Sequence, residues 1–142
     1  MTIRSATAAD ADALFDLVEQ LGHALKPDRA AFDRTFATYL SGEAPEVVLF
    51  LAEEEGAVVG YVLMSVVPLL STNGLAGQLQ EIVVDRSGRG THVGTQLVHA
   101  VEDECKRRGV TQLTVAARRA GGFYDRLGYH ENAEYMRRFF TH

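Results

Sequence analysis

Val83-Val84-Asp85-Arg86-Ser87-Gly88-Arg89-Gly90-Thr91-His92-Val93-Gly94-Thr95 carries the strongest signal in the chain. A β-branched apolar run ends at Val84, glycines follow, and from Gly94 onward Leu97, Val98, Val101 and Cys105 recur at helical spacing. A strand that feeds a glycine-rich loop and then a helix presents unsatisfied backbone N–H groups and the positive end of the helix dipole. Glycines allow close backbone approach, and Arg86 and Arg89 supply charge for a pyrophosphate or a 3′-phosphate, so the segment reads as a phosphate cradle.

The elements to either side follow from the same kind of pattern. Glu102-Asp103-Glu104 gives way to Lys106-Arg107-Arg108 and Gly109, which sets positive charge at the negative end of the helix and a glycine at its stop. Before the loop, Leu79 to Val84 is a strand, and Ser71-Thr72-Asn73-Gly74 marks a turn ahead of it. Val47 to Ala52 and Val58 to Val67 flank Glu54-Glu55-Gly56 as an antiparallel hairpin. Ile3-Arg4-Ser5 is a short strand. Thr7-Ala8-Ala9-Asp10 has the form of a capping box before Leu14, Leu17, Val18 and Leu21, and Phe32, Phe36, Tyr39 and Leu40 line a second helix that starts near Pro27-Asp28 and stops before Gly42. After the long helix come a strand at Leu113 to Ala116, a short helix around Phe123 to Leu127 and a final strand near Tyr135 to Phe140. The expected order is β-α-α-β-β-β-α-β-α-β.

A length of 142 residues is that of one domain, residues 1–142, and 46% apolar with 23% charged residues describes a chain that buries a core. There is no repeat or low-complexity tract to divide it. Fourteen Lys+Arg against nineteen Asp+Glu give a net charge of −5, the wrong sign for nucleic acid or an anionic membrane. The longest apolar run, Val58 to Leu70, is interrupted by Gly60, Ser65 and Pro68, so no membrane span is expected. A lone cysteine, Cys105, excludes an intrachain disulfide and points to a reducing, cytoplasmic setting. The five histidines show no metal-ligand spacing.

Three nucleotide motifs compete for the loop. A P-loop fails because no lysine precedes Thr95. A Rossmann fingerprint fails at Val93, which occupies its third glycine position, although Arg118 and Arg119 keep an NADP-binding module as an alternative. The third is the coenzyme A loop of the GNAT superfamily of N-acetyltransferases, Arg/Gln-x-x-Gly-x-Gly/Ala at a helix start. Arg89-Gly90-Thr91-His92-Val93-Gly94 resembles it, with His92 where that superfamily usually has glycine. Ala120-Gly121-Gly122-Phe123-Tyr124-Asp125-Arg126-Leu127-Gly128-Tyr129 is similar to its Ala-x-x-Phe-Tyr-x-x-x-Gly-Phe signature, with Ala117 in place of an asparagine three residues earlier.

The resemblance implies an α/β fold with a mixed, mostly antiparallel central sheet flanked by helices, and acetyl-CoA as cosubstrate. It implies a coenzyme site formed by Ile82, Val83 and Val84 along the pantetheine and by Arg89, Gly90, Thr91, His92, Val93, Gly94 and Thr95 around the phosphates. Tyr124 resembles the tyrosine beside the coenzyme sulfur and Glu81 the glutamate that removes the amine proton. A carboxylate on a central strand also demands a partner or a cavity on physical grounds alone. The implied activity is direct acetyl transfer to a primary amine of a small molecule, of the aminoalkylphosphonate or aminoglycoside kind, in a ternary complex. Acetylation of a protein or peptide amine, or a coenzyme A sensor without turnover, is the alternative, and a homodimer is allowed. The acceptor pocket is expected from Gly22 to Phe32 and from Pro68 to Gly77.

Overall fold

The computed structural model describes residues 1–22, 24–88, 92–116 and 122–142. Strand β1 (Thr2–Ser5) leads through a single 3₁₀ turn into α1 (Ala11–Gln20) and α2 (Arg29–Ser41). Three long strands follow, β2 (Val47–Glu54), β3 (Ala57–Leu69) and β4 (Gly74–Val84), then α3 (Val93–Arg108), β5 (Val110–Val115) and the one-turn α4 (Phe123–Arg126). The strands form one sheet in the order β1-β2-β3-β4-β5, antiparallel throughout except for the parallel β4–β5 pair. The fold is thus mixed α/β, with α3 as the crossover that parallel strands require.

Local chemistry explains the boundaries. The Asp28 carboxylate accepts from the Ala31 N–H at 2.9 Å and starts α2, and Gly42 ends it at φ 83°. Glu55 and Gly56, at φ 50° and 81°, form the two-residue turn with positive φ at both positions that matches the twist of a hairpin. In the capping box before α1, the Thr7 N–H donates to Asp10 at 2.7 Å. Asp10 is also gripped by Arg4, at 2.8 and 2.9 Å, and this pairing holds its carboxyl down to about 2.

Side chains alternate across the sheet and fill two cores. On one face, Val93, Leu97, Val98 and Val101 of α3 pack on Val62, Met64 and Leu79. On the other, Leu14 and Leu17 of α1 and Phe36 of α2 pack on Leu51, Tyr61 and Val83. Each such buried side chain contributes roughly 1.5–3 kcal/mol.

The expected final strand is absent: no strand or helix is assigned from residue 129 to 142. Tyr135, Met136 and Phe140 are exposed, and the Arg137 and Arg138 guanidinium groups lie over the Phe139 and Phe140 rings. Apolar and aromatic residues at strand-like spacing do not make a strand unless a ladder pairs them, and this segment pairs with no described strand. The Pro68 to Gly77 stretch is likewise mostly strand, since β3 runs to Leu69 and β4 starts at Gly74.

Candidate active site

Pairing between β3 and β4 runs Leu63↔Glu81 and then Met64↔Leu79, so Gln80 is an extra residue and β4 carries a bulge. The consequence is a change of face. Leu79 packs into the α3 core, and its i+2 neighbour Glu81, which regular alternation would put beside it, instead faces the side covered by α1 and α2. Past the bulge, Val83 joins the α1 and α2 core while Ile82 and Val84 face α3. The Gln80 amide donates to the Ser65 hydroxyl at 3.0 Å.

Glu81 borders a cavity of about 430 Å³ between the sheet and the two N-terminal helices. Leu14, Leu21, Phe32 and Phe36 supply apolar wall, and Tyr39 and Tyr61 bring hydroxyls to the carboxylate side. The Tyr61 hydroxyl donates to Glu81 Oε1 at 2.8 Å. Burial first, and then the negative charge of Glu81, push the Tyr61 phenol far above its ordinary range, so it stays protonated and keeps donating. The same two causes raise Tyr39. The expected Gly22 to Phe32 segment contributes Leu25, Pro27 and Asp28 to this cavity, whereas the Pro68 to Gly77 stretch contributes none of the described lining.

The β4–β5 ladder ends at Leu79↔Val115, while β4 continues to Val84 against β3. Beyond that end, α3 begins at Val93, with His92 as an exposed N-cap whose side chain makes no capping bond. A Cβ on Gly94 would lie 3.6 Å from Phe123 Cζ and 3.7 Å from Val84 Cγ2, which brings the helix start, the end of β4 and α4 into one place. Thr95 follows in the first turn of α3. Arg89, Gly90 and Thr91 lie outside the described residues, as do Ala117 to Gly121.

Tyr124 is buried with Val93 and Val98 in the α3 core, its ring edge-on to Phe123 and Tyr129 at centroid distances of 5.0 and 5.7 Å. Burial raises its hydroxyl. Glu81 and Tyr124 therefore stand on opposite faces of the sheet. A single reactant can meet both only where β4 outruns β5.

Another contact ties the loop to α1. Gln20 donates to Asp85 at 2.9 Å and accepts from the Arg86 N–H at 3.2 Å, and with Ser87 it holds the Asp85 carboxyl down to about 2. These partners are 65 and 66 positions apart, and no local pattern announces them.

A bulged fourth strand, a split sheet edge and a helix start beside it are the setting in which the family comparison becomes informative. Residues 12–129 match the model of the Acetyltransferase (GNAT) family. The chain belongs to that family. It is thereby an acetyl-CoA-dependent N-acetyltransferase. It is 34% identical over 135 residues to the aminoalkylphosphonate N-acetyltransferase of Salmonella typhimurium, covering 92% of this chain and 85% of that one. In fold it resembles glucosamine-6-phosphate N-acetyltransferase from Arabidopsis thaliana, with TM-score 0.85, 24% identity and coverage of 99% and 98% of the two chains. It also resembles a predicted acetyltransferase from Clostridium acetobutylicum whose structure was determined with acetyl-CoA, with TM-score 0.78, 20% identity and coverage of 97% and 95%. As in a GNAT acetyltransferase generally, the sheet is mixed and mostly antiparallel. Among the described residues no helix is long and apolar enough to cross a membrane.

Proposed function

We propose that this GNAT acetyltransferase passes the acetyl group of acetyl-CoA directly to a primary amine of a small molecule seated in the cavity under α1 and α2. The observation that carries this is the bulge at Gln80, which presents the Glu81 carboxylate to that cavity. The relative at 34% identity is named for a small-molecule amine, which supports the same substrate scale.

The residues at the split edge suit the coenzyme. Ile82, Val83 and Val84 offer an extended backbone past the end of β5, fit for an amide-bearing arm laid beside β4. The start of α3, with glycine at position 94, suits phosphate oxygens through helix-terminal N–H groups. Acetyl-CoA supplies an activated thioester. Glu81 Oε, held by Tyr61, accepts a proton from the amine as nitrogen bonds to the acetyl carbon. A backbone N–H near Val83 meets the developing oxyanion. Tyr124 gives a proton to sulfur as the carbon–sulfur bond breaks, leaving an amide and a free thiol.

Direct transfer fits the position of the only cysteine. Cys105 is buried at 7% exposure, with its Sγ 3.5 Å from Met64 Sδ, and burial raises its thiol, so it is no acyl carrier. Initial rates of thiol release with acetyl-CoA and amine both varied test this. Intersecting double-reciprocal lines are expected, and parallel lines would overturn direct transfer.

A further inference from the structure

The cavity that meets Glu81 has a composition at odds with an anionic substrate. Of the described residues that line it, none is lysine or arginine, and the ionic ones are the carboxylates Glu81 and Asp28. The Arg29 guanidinium, which lies over the Phe15 and Phe32 rings, is bound to Asp12 at 2.7 Å and Asp33 at 2.8 Å, so its charge is shared with two carboxylates. Apart from Thr35 and the Tyr39 and Tyr61 hydroxyls, the remaining wall is aliphatic and aromatic: Phe32 stacks on Phe36 with centroids 5.5 Å apart, and Leu25 stands at the edge with 58% exposure.

From this we infer that the acceptor is an uncharged-tail primary amine carrying an aryl or branched alkyl group, and not an aminoalkylphosphonate. This rests on the cavity being the acceptor site, as proposed above. Its volume of about 430 Å³ exceeds the ~150 Å³ that encloses a benzene ring, leaving room for a linker and the amine. An apolar tail replaces water against Phe32 and Phe36, while the amine end is drawn to the Glu81 carboxylate. A phosphonate in the same place would face two carboxylates and no described cation, which disfavours it by repulsion and by lost hydration.

The test compares 2-phenylethylamine with 2-aminoethylphosphonate by kcat/KM for thiol release, in the wild-type protein and in Leu25→Arg. Leu25 is exposed, so the substitution leaves the fold intact, as circular dichroism will verify. The wild type is expected to prefer the aryl amine by about 10²-fold or more, and Leu25→Arg to narrow that preference by about 10-fold. Preference of the wild type for the phosphonate overturns the inference and leaves the acceptor-site proposal standing. An aryl-amine preference that Leu25→Arg does not change also overturns it, because the cavity then does not select the tail. Thiol release with neither amine, in a protein whose melting temperature acetyl-CoA raises, defeats the underlying proposal and this inference together.

Discussion

Replacing Gly94 separates coenzyme binding from folding, because the fold has room for a Cβ there. A Cβ would sit 3.6 Å from Phe123 and 3.7 Å from Val84, ordinary contact distances, and the backbone is helical. Gly94→Ala should therefore stabilise the free protein by about 0.5–1 kcal/mol through helix propensity and a stiffer unfolded chain. With an unfolding entropy of about 2.1 cal/mol/K per residue, the 142 residues give about 0.3 kcal/mol/K. That free energy raises Tm by about 2–3 °C. Gly94→Glu puts an acid in the first turn of α3, itself worth about 0.3–1 kcal/mol at a helix N-terminus, so its fold should hold as well. Acetyl-CoA at 100 times its Kd adds about 2.7 kcal/mol and lifts the wild-type Tm by about 9 °C. Gly94→Glu should abolish that lift by bulk and charge, and Gly94→Ala should reduce it through about a 10-fold weaker affinity. Differential scanning fluorimetry with and without acetyl-CoA reads both quantities, and calorimetry confirms the affinities. A Gly94→Glu protein that keeps the full acetyl-CoA shift refutes the assignment of the phosphates to the start of α3.

Two other substitutions probe the chemistry and the frame. Tyr124→Phe leaves the ring packed on Phe123 and Tyr129 and should lower kcat by about 10-fold to 10³-fold with coenzyme affinity unchanged; unchanged kcat in steady-state rates would exclude proton donation by Tyr124. Asp10→Asn should cost roughly 2 kcal/mol at pH 7, since the buried carboxyl is held at about 2 by Arg4. Because the folded value lies below the unfolded one, that stability is complete above about pH 5 and is lost as pH falls toward about 2. Urea unfolding from pH 7 to pH 2 should show the wild type and Asp10→Asn converging at the acid end, and a constant gap would contradict the origin assigned to it.

Local signals were enough for most of the architecture. The strand–loop–helix around Val84 and Val93, the Glu55-Gly56 turn, and the caps at Asp28 and Gly42 each follow from residue types that act on their own neighbours. The final strand did not, because Tyr135 to Phe140 has strand composition but forms no ladder with a described strand, and pairing decides. Glu81 stood out as a carboxylate in an apolar strand, but its face was set by the bulge at Gln80, and a bulge is a count of residues across two strands. Tyr61 lies within the Val58 to Val67 strand and no motif marks it. A tyrosine in a central strand needs a hydroxyl partner, and that requirement was the available clue to its bond with Glu81, 20 positions away. The Gln20–Asp85 contact, between positions 65 apart, has no such clue.

Direct transfer in this cavity depends on Glu81 as the group that takes the amine proton. Its direct test is kcat/KM from pH 5 to pH 9 for the wild type and Glu81→Gln at saturating acetyl-CoA, with the best amine from the acceptor comparison. The amide keeps the shape and the Tyr61 contact, so folding and the acetyl-CoA thermal shift should persist. A fall of roughly 10²-fold or more, with the acidic limb of the profile gone, is expected. A Glu81→Gln enzyme that retained both the wild-type rate and the acidic limb would contradict the account.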